Sequence, residues 1–257
     1  MYKTTDPVYL YDGSFEGLLS AIFETYRSKT EPLRFVREYE WTDSLFSETI
    51  SVASNDEWAR RIREGMIQRT SEKAFRMLYR CFHSEQEDVE LLIYRFIDLS
   101  VKSDFNIEHN YTDDTVLGLQ KIDKMMGREI HRMHAFVRFQ RSPEDLYWSV
   151  IDPDFNVLPL ITDHFLKRYP AQDWLIYDSR RHYGKYFDQH QLDTITFDEQ
   201  AHQKLRKLTP DLSPEEEMDY QQLWRSYFKA TNIPARRNMK LHLQHVPRRY
   251  WKYLTEK

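Results

Sequence analysis

The chain is poor in cysteine, in glycine and in long apolar runs. A single cysteine, Cys81, among 257 residues excludes an intramolecular disulfide and any zinc or iron–sulfur site built from cysteines. Six glycines exclude a collagen-like repeat, and no run of about 18 apolar residues, the length that spans a bilayer, occurs. Residues 1–7 lack the apolar stretch of a secretory signal. We therefore expect a cytoplasmic protein without a membrane helix, in which Cys81 is a small buried side chain.

The composition is that of a folded protein with an uneven distribution of charge. Apolar residues make up 40% of the chain and aromatic residues 15%, far more than a disordered chain carries. The formal net charge is −4, yet residues 225–257 hold nine Lys or Arg against one acid, a local balance of +8. This basic segment predicts a positively charged pole on an otherwise acidic molecule.

Apolar spacing predicts a mostly helical amino-terminal part. Val8–Tyr11 reads as a short strand that turns at Asp12 into a helix with Ser14 as its N-cap. Helical spacing continues over residues 57–82, 87–101 and 116–134. The last of these helices carries basic residues in its final turns.

The middle of the chain changes to a pattern typical of strands. Residues 135–139 and 145–151 are aromatic and β-branched, and a Ser-Pro break separates them as in a hairpin. Residues 156–169 return to helical spacing, 173–178 read as a strand, and 185–188 follow a turn as a paired strand. We therefore predict an α+β fold with a mainly antiparallel sheet in the middle of the chain.

The predicted organisation has three segments. Residues 1–134 form the α-rich part that opens with a short strand, 135–210 form the sheet region, and 211–257 form a helical basic carboxyl terminus, all three packed as one unit. Ser213 and Pro214 are typical of the N-cap and first position of the last segment's first helix.

The basic carboxyl terminus interleaves cations with aromatic residues. Paired cations suit the spacing of phosphates, and exposed aromatics offer a base a surface to stack on. The predicted nucleic-acid contacts are Arg236, Arg237, Lys240, Arg248, Arg249, Tyr250 and Trp251. The alternative is an amphipathic end that packs on an acidic face of the same protein, with Trp251 in the core.

Two further groups of cations can extend this basic surface. Arg128, Arg132 and Arg138 give the end of the helix over 116–134, and the stretch after it, a basic face, while Arg180 and Arg181 lie in the turn after a predicted strand. We include all five among the predicted nucleic-acid contacts.

Pairs of histidines and of aspartates give weaker signals for other chemistry. His131 with His134, and His242 with His245, have the three-residue spacing that lets two ligands share a helix face, although solvated or hydrogen-bonded histidines are more common. Asp152, Asp154 and Asp178 lie at the ends of predicted strands, where carboxylates can act as acid and base or hold a metal, but aspartate is also ordinary in turns. A phosphate-binding glycine loop, a Gly-x-Ser-x-Gly elbow and a His-Glu-x-x-His motif are absent.

The sequence resembles a bacterial family described as DNA-metabolism proteins. The similarity runs in order through nearly the whole chain, in Tyr11-Asp-Gly-Ser-Phe-Glu-Gly-Leu18, Arg128-Glu-Ile-His-Arg-Met133 with Phe136-Val-Arg-Phe139, Ile151-Asp-Pro-Asp-Phe-Asn-Val-Leu-Pro-Leu160, His164-Phe165, Trp174-Leu-Ile-Tyr-Asp178 and Pro247-Arg-Arg-Tyr-Trp-Lys-Tyr-Leu254. Members are typically encoded beside a radical-SAM protein, and some are fused to a uracil-DNA-glycosylase-like domain. The resemblance implies a stand-alone form that acts with the radical-SAM neighbour in DNA repair or modification. It supplies no catalytic residues.

These observations leave three functions open. The first is a nucleic-acid-binding accessory protein, with DNA and the radical-SAM protein as partners and no cofactor of its own. The second is a DNA-processing hydrolase, a nuclease or a glycosylase-like enzyme, that uses the aspartates or histidines above. The third is a protein–protein interaction module that does not bind DNA.

Overall fold

The computed structural model describes residues 7–42, 48–137, 139–141 and 146–196. The chain divides into two compact units, which meet in sequence between Gly127 and Arg128. Each unit combines helices with a sheet, so the predicted α+β class is confirmed. The predicted segment 211–257 lies outside the described residues, and the predicted segment boundaries stay predictions.

The first unit is built mainly of helices around a small sheet. Its elements are β1 (Val8–Tyr11), α1 (Phe15–Ser28), β2 (Arg34–Arg37), β3 (Thr49–Ser51), α2 (Asp56–Arg69), α3 (Glu72–Phe82), α4 (Val89–Lys102) and the beginning of α5 (Asp114–Phe136). The helices confirm the predicted periodic regions. The region predicted as helical over 57–82 is two helices, because Ser71 accepts a hydrogen bond from the Ala74 N–H and caps the second.

The sheet of the first unit is entirely parallel, with the strand order β2-β1-β3. Tyr9 pairs with Phe35 on one side and with Ile50 on the other. The sequence predicted β1 but neither neighbour, because β2 and β3 are only four and three residues long and are rich in polar residues. Pairing with β1 makes them strands, which local pattern does not show.

The turn from β1 into α1 is held by a tight set of side chains. Asp12 accepts hydrogen bonds from the Ser14 N–H and hydroxyl on one carboxylate oxygen and from the Ser54 hydroxyl on the other. Ser14 in turn accepts from the Gly17 N–H, which confirms it as the N-cap. A Cβ at position 17 would collide with the Asp12 Oδ1 atom unless that carboxylate moved, so the close approach of Asp12 favours glycine here.

A buried ion pair joins the end of β2 to the beginning of α4. The Arg37 Nη2 atom lies 2.7 Å from the Glu90 Oε1 atom, and the Tyr11 hydroxyl donates to the same oxygen at 3.0 Å. Both charged side chains are about nine-tenths buried. Since each charge depends on the other for compensation, the pair fixes one packing of β1, β2 and α4.

The second unit contains a mixed five-stranded sheet. Helix α5 continues into this unit, and the further elements are β4 (Gln140–Arg141), β5 (Tyr147–Ile151), α6 (Leu158–Arg168), β6 (Trp174–Asp178), β7 (Tyr183–Phe187) and β8 (Leu192–Thr196). The strand order is β4-β5-β6-β7-β8, with β5 and β6 parallel and the other pairs antiparallel.

Two expectations for the middle of the chain are therefore corrected. The prediction of a mainly antiparallel sheet in the middle of the chain is met only in part. The sheet is mixed, because α6 carries the chain back across it and leaves β5 and β6 parallel, while its three other strand pairs are antiparallel. Residues 135 and 136 end helix α5 instead of forming a strand, and β4 is limited to two residues.

The interiors of both units contain groups that titrate in water. Cys81 is buried as expected, its Sγ atom lies 3.4 Å from the Leu119 carbonyl oxygen, and burial raises the pKa of its thiol. The Lys185 ammonium is also buried, donates to the Thr194 hydroxyl at 2.6 Å, and has its pKa lowered well below the usual value by burial. Within the described residues, no helix has both the length and the apolar character needed to cross a bilayer.

A pair of glycine substitutions tests the tight turn after β1. Gly17→Ala should destabilise the first unit by about 1–3 kcal/mol, because the new Cβ displaces the Asp12 carboxylate from its bonds to Ser14. Gly65→Ala in α2 has open space around it and should stabilise by about 0.5–1 kcal/mol. Chemical denaturation of both variants measures the two effects, and an unchanged stability of Gly17→Ala would contradict the described turn.

Candidate functional site

The parallel pair in the second unit brings the predicted aspartates to one edge of the sheet. Ile151 pairs with Asp178, so the chain leaves β5 and β6 at adjacent points. Asp152 and Asp154 follow β5 and are exposed, whereas Asp178 ends β6 and is fully buried. Crossover connections place the carboxyl ends of parallel strands together, which explains why residues 26 apart meet.

Two arginines in the turn between β6 and β7 pair with these aspartates. We call residues 179–182 the arginine turn. The Arg180 Nε atom lies 3.0 Å from the Asp152 Oδ1 atom, and its Nη1 atom lies 3.2 Å from the Asp154 Oδ1 atom. The Arg181 Nη1 atom lies 3.1 Å from both the Asp178 Oδ2 atom and the Pro153 carbonyl oxygen. The turn therefore fastens the loop after β5 to the end of β6.

The same network reaches helix α5 through a buried glutamate. Glu129 accepts from the Asp154 N–H at 3.0 Å on one carboxylate oxygen and pairs with Arg132 at 2.9 Å on the other. Arg132 and Arg180 keep 57% and 45% of their side chains exposed. Arg132 and Arg180 were both predicted from the sequence as nucleic-acid contacts. Glu129 and Asp154 join these two arginines into one network, and both arginines face solvent. Arg128, one turn earlier in α5, is exposed as well.

Asp178 combines full burial with a close counter-charge. Burial raises the pKa of its carboxyl group to about 6, although Arg181 and the backbone N–H groups of Arg180 and Arg181 oppose that rise. Its Oδ1 atom accepts from these two N–H groups at 2.9 and 3.1 Å. The carboxylate therefore organises the arginine turn, with all its described contacts inside the protein.

The arrangement presents an exposed guanidinium group that an anion can reach. Asp152 and Asp154 are occupied by Arg180, and within the described ranges no group of three or more His, Cys, Asp or Glu residues could hold a metal ion. Among the described residues the Arg180 side chain pairs with the exposed carboxylates of Asp152 and Asp154, so a phosphate that approaches can exchange with them at low cost. The three aspartates remain predictions as catalytic residues.

Two of the histidines predicted as ligands, His131 and His134, lie at the end of α5, and of these two His134 is partly buried. His134 stacks on His164 of α6, with ring centroids 4.3 Å apart, whereas His131 is exposed. Burial, with smaller contributions from His164 and His131, lowers the pKa of His134 to about 4. His134 is therefore neutral at physiological pH, and its Nε2 atom has no hydrogen-bond partner among the described residues.

Most of the predicted nucleic-acid contacts lie outside the described residues. These are Arg138, Arg236, Arg237, Lys240, Arg248, Arg249, Tyr250 and Trp251, together with the histidines His242 and His245.

Sequence reasoning missed a second polar edge, in the first unit. Asp12, Ser14 and Ser54 meet where the parallel strands β1 and β3 end. The strand-turn-helix pattern of residues 8–18 indicates such an edge. Ser54, however, belongs to the loop after β3, and β3 was not predicted from the sequence. Next to it lies a cluster of Arg27 and Trp58, whose residues come from different helices and share no sequence pattern.

Two arginine substitutions compare the stability contributed by the buried ion pair of Arg181 and Asp178 with that of the exposed ion pairs of Arg180. Arg181→Met leaves the buried Asp178 without its counter-charge and should lower the free energy of unfolding by about 3–5 kcal/mol at neutral pH. Arg180→Met removes only partly exposed pairs and should cost at most about 1 kcal/mol. Denaturant unfolding at pH 7 measures both, and equal losses would contradict the assignment of the buried pair.

The loss of unfolding free energy in Arg181→Met should also depend on pH. Without Arg181 the pKa of Asp178 rises further above that of an unfolded aspartate, so the folded state takes up a proton first as the pH falls. The stability of Arg181→Met should therefore recover relative to Arg180→Met as the pH is lowered from 7 to about 5. A difference between the variants that stays constant over this range would show that Asp178 is not the affected group.

Comparisons with known proteins place the chain in a family. A family model described as a domain of unknown function, DUF4130, matches residues 87–256, which include α4, α5 and the whole described part of the second unit. Searches of curated proteins and of solved structures found no match. The family description names no activity, so DNA repair, the radical-SAM neighbour and the relation to a glycosylase fusion stay predictions. Since the match covers well over half of its length, the chain belongs to the DUF4130 family.

Proposed function

We propose that the protein binds DNA as an accessory factor in DNA repair or modification and acts with a radical-SAM protein. The observation that carries this proposal is the charge of residues 225–257, which is +8 in a chain whose net charge is −4. A cluster of this size attracts polyanions through the release of counterions from the phosphate backbone. Arg236, Arg237, Lys240, Arg248 and Arg249 then contact phosphates, and Tyr250 or Trp251 stacks on an exposed base.

Arginines on the helices of the first unit, unlike the cations of segment 225–257, have acidic residues close to them. Arg60 pairs with Glu57 and Glu64, and Arg63 pairs with Glu72, so these exposed arginines are neutralised locally. The segment 225–257 has only Glu256 to offset its nine cations. In sequence, the cations of this segment therefore lack the nearby acids that neutralise the helix arginines.

The exposed arginines of the second unit support the same proposal. Arg128, Arg132 and Arg180 reach solvent, and the last two belong to one network. Arg180 pairs with the exposed carboxylates of Asp152 and Asp154, whereas Arg132 pairs with the buried Glu129. Contact with DNA replaces these carboxylates by phosphates while the arginine turn keeps its position through Arg181 and Asp178.

The connection to repair and to a radical-SAM partner rests on the sequence resemblance. In this proposal the protein positions DNA and the partner performs the chemistry, which agrees with the engagement of Asp152, Asp154 and Asp178 by arginines. A DNA-processing hydrolase would need at least one of these carboxylates to be released.

Reversal of two charges in the basic segment tests the interface. Arg236→Glu combined with Arg237→Glu should weaken DNA binding and reduce the slope of log affinity against log salt by about 2, because two phosphate contacts are lost. Fluorescence anisotropy with labelled single- and double-stranded DNA over a range of salt concentrations measures affinity and slope together.

The matched control reverses two exposed charges on helix α3. Lys73→Glu combined with Arg76→Glu changes the net charge by the same amount at a site outside the proposed interface and should leave the salt slope unchanged. If both double variants lose affinity equally, the effect is one of net charge and the assigned interface is wrong. If the wild type binds neither form of DNA, the interaction with a protein partner becomes the function to test.

A further inference from the structure

We infer that the first unit carries a stacking site for an unpaired nucleobase, formed by Arg27, Trp58 and the outer edge of β3. This inference rests on the proposed function, since it assigns to the DNA-binding protein a site for the bases themselves. A cleft of about 290 Å³ lies there, lined by Glu24, Arg27, Trp58 and residues 50–55. Small-molecule sites usually measure about 300–1,000 Å³, so this cleft suits one planar ring system.

Arg27 and Trp58, which line the cleft, belong to a series of cation–aromatic contacts. The Arg27 guanidinium carbon lies 5.2 Å from the centroid of the Trp58 ring, and Phe23 stacks on Trp58 at 5.2 Å with 24° between the ring planes. Arg61 lies over Phe23 at 4.8 Å. Arg27 and Arg61 therefore lie at the two ends of the series. Of these two arginines, Arg27 lines the cleft and Arg61 does not.

The plane of Arg27 is fixed before any ligand binds. Its Nε and Nη2 atoms lie 2.7 and 3.1 Å from the two carboxylate oxygens of Glu24, a two-point pairing that sets the orientation of the guanidinium group. Glu24 is nearly buried, with 12% of its side chain exposed, whereas 62% of Arg27 is exposed. A preorganised, exposed guanidinium plane is a surface on which nucleobases stack.

The backbone of β3 supplies polar groups at the other side of the cleft. In the described part of the chain β1 is the one strand that pairs with β3. The Val52 N–H donates to the Leu10 carbonyl, and the Val8 N–H donates to the Glu48 carbonyl, so residues 48 and 52 face β1. In a parallel ladder the alternate residue Ser51, at the end of β3, directs its N–H and C=O groups outward. These groups can bond to the edge of a stacked base, as the edge of a sheet does with other ligands.

The chemistry favours a base over a phosphate. Glu24 contributes a negative charge beside Arg27, and Asp12 lies beyond Ser54, so the cleft has no excess of cations. A flat heteroaromatic ring with donors and acceptors on its edge matches the guanidinium plane, the indole and the outward backbone groups. In duplex DNA the faces of the bases are already stacked, so the site selects single strands or extruded bases.

Substitutions of Arg27 distinguish stacking from simple charge. Arg27→Ala and Arg27→Lys should each weaken binding of a short single-stranded oligonucleotide by about 5- to 100-fold, because lysine keeps the charge but not the plane. Binding to duplex DNA should stay unchanged. A single 2-aminopurine in the oligonucleotide should change in fluorescence when it binds the wild type and not when it binds either variant.

The control is Arg95→Ala, which removes an exposed arginine from α4 outside the cleft and should bind both DNA forms like the wild type. Thermal unfolding verifies that all variants remain folded. If Arg27→Lys binds the single strand as the wild type does, with the same fluorescence change, the stacking site is overturned while the proposed DNA binding stands. If the wild type binds no DNA at all, both the proposed function and this site are overturned.

Discussion

Parallel strands can be joined only by a segment that crosses back over the sheet, and this brings the carboxyl ends of neighbouring strands to one edge. Both units of the protein depend on this constraint. In the first unit the loops after β1 and β3 meet, and the carboxylate of Asp12 bonds to Ser14 and Ser54. In the second unit the loop after β5 meets the end of β6, and the arginine turn joins them. Such edges are where sheets of this kind bind ligands, since the loops there are free to vary while the strands hold them in place.

Buried charge is used in the two units for the same purpose. Arg37 with Glu90, and Arg181 with Asp178, are ion pairs removed from water, and each joins the end of a strand to a neighbouring element. The cost of desolvating such pairs offsets much of their attraction, so their main effect is to select one arrangement of the loops over others. The exposed pairs, such as those of Arg180 with Asp152 and Asp154, contribute little to stability and can be exchanged for other partners.

The two proposed binding surfaces would contact different parts of a nucleic acid, one the phosphates and the other the bases. In the proposed function, contacts from the basic segment 225–257 to phosphates supply affinity that depends on salt and not on sequence. The inferred stacking on Arg27 and Trp58 would act on the base itself and separate unpaired from paired strands. Contacts to the backbone position a nucleic acid and contacts to bases discriminate, so a protein with both can hold DNA and present an exposed base to a partner.

The sequence by itself determined the helices, the cap at Ser14, the strands β1, β5 and β6, the placement of aspartates at strand ends and the resemblance to a family. These features depend on periodicity and on hydrogen bonds between residues a few positions apart, which a linear pattern records. Only the tertiary structure decided that β2 and β3 are strands, that β5 and β6 run parallel, that Arg180 holds Asp152 and Asp154, and that Arg27 meets Trp58. Each of these contacts joins residues that are more than twenty positions apart in the chain, and such a pairing is selected by the packing of whole elements, which no local pattern contains.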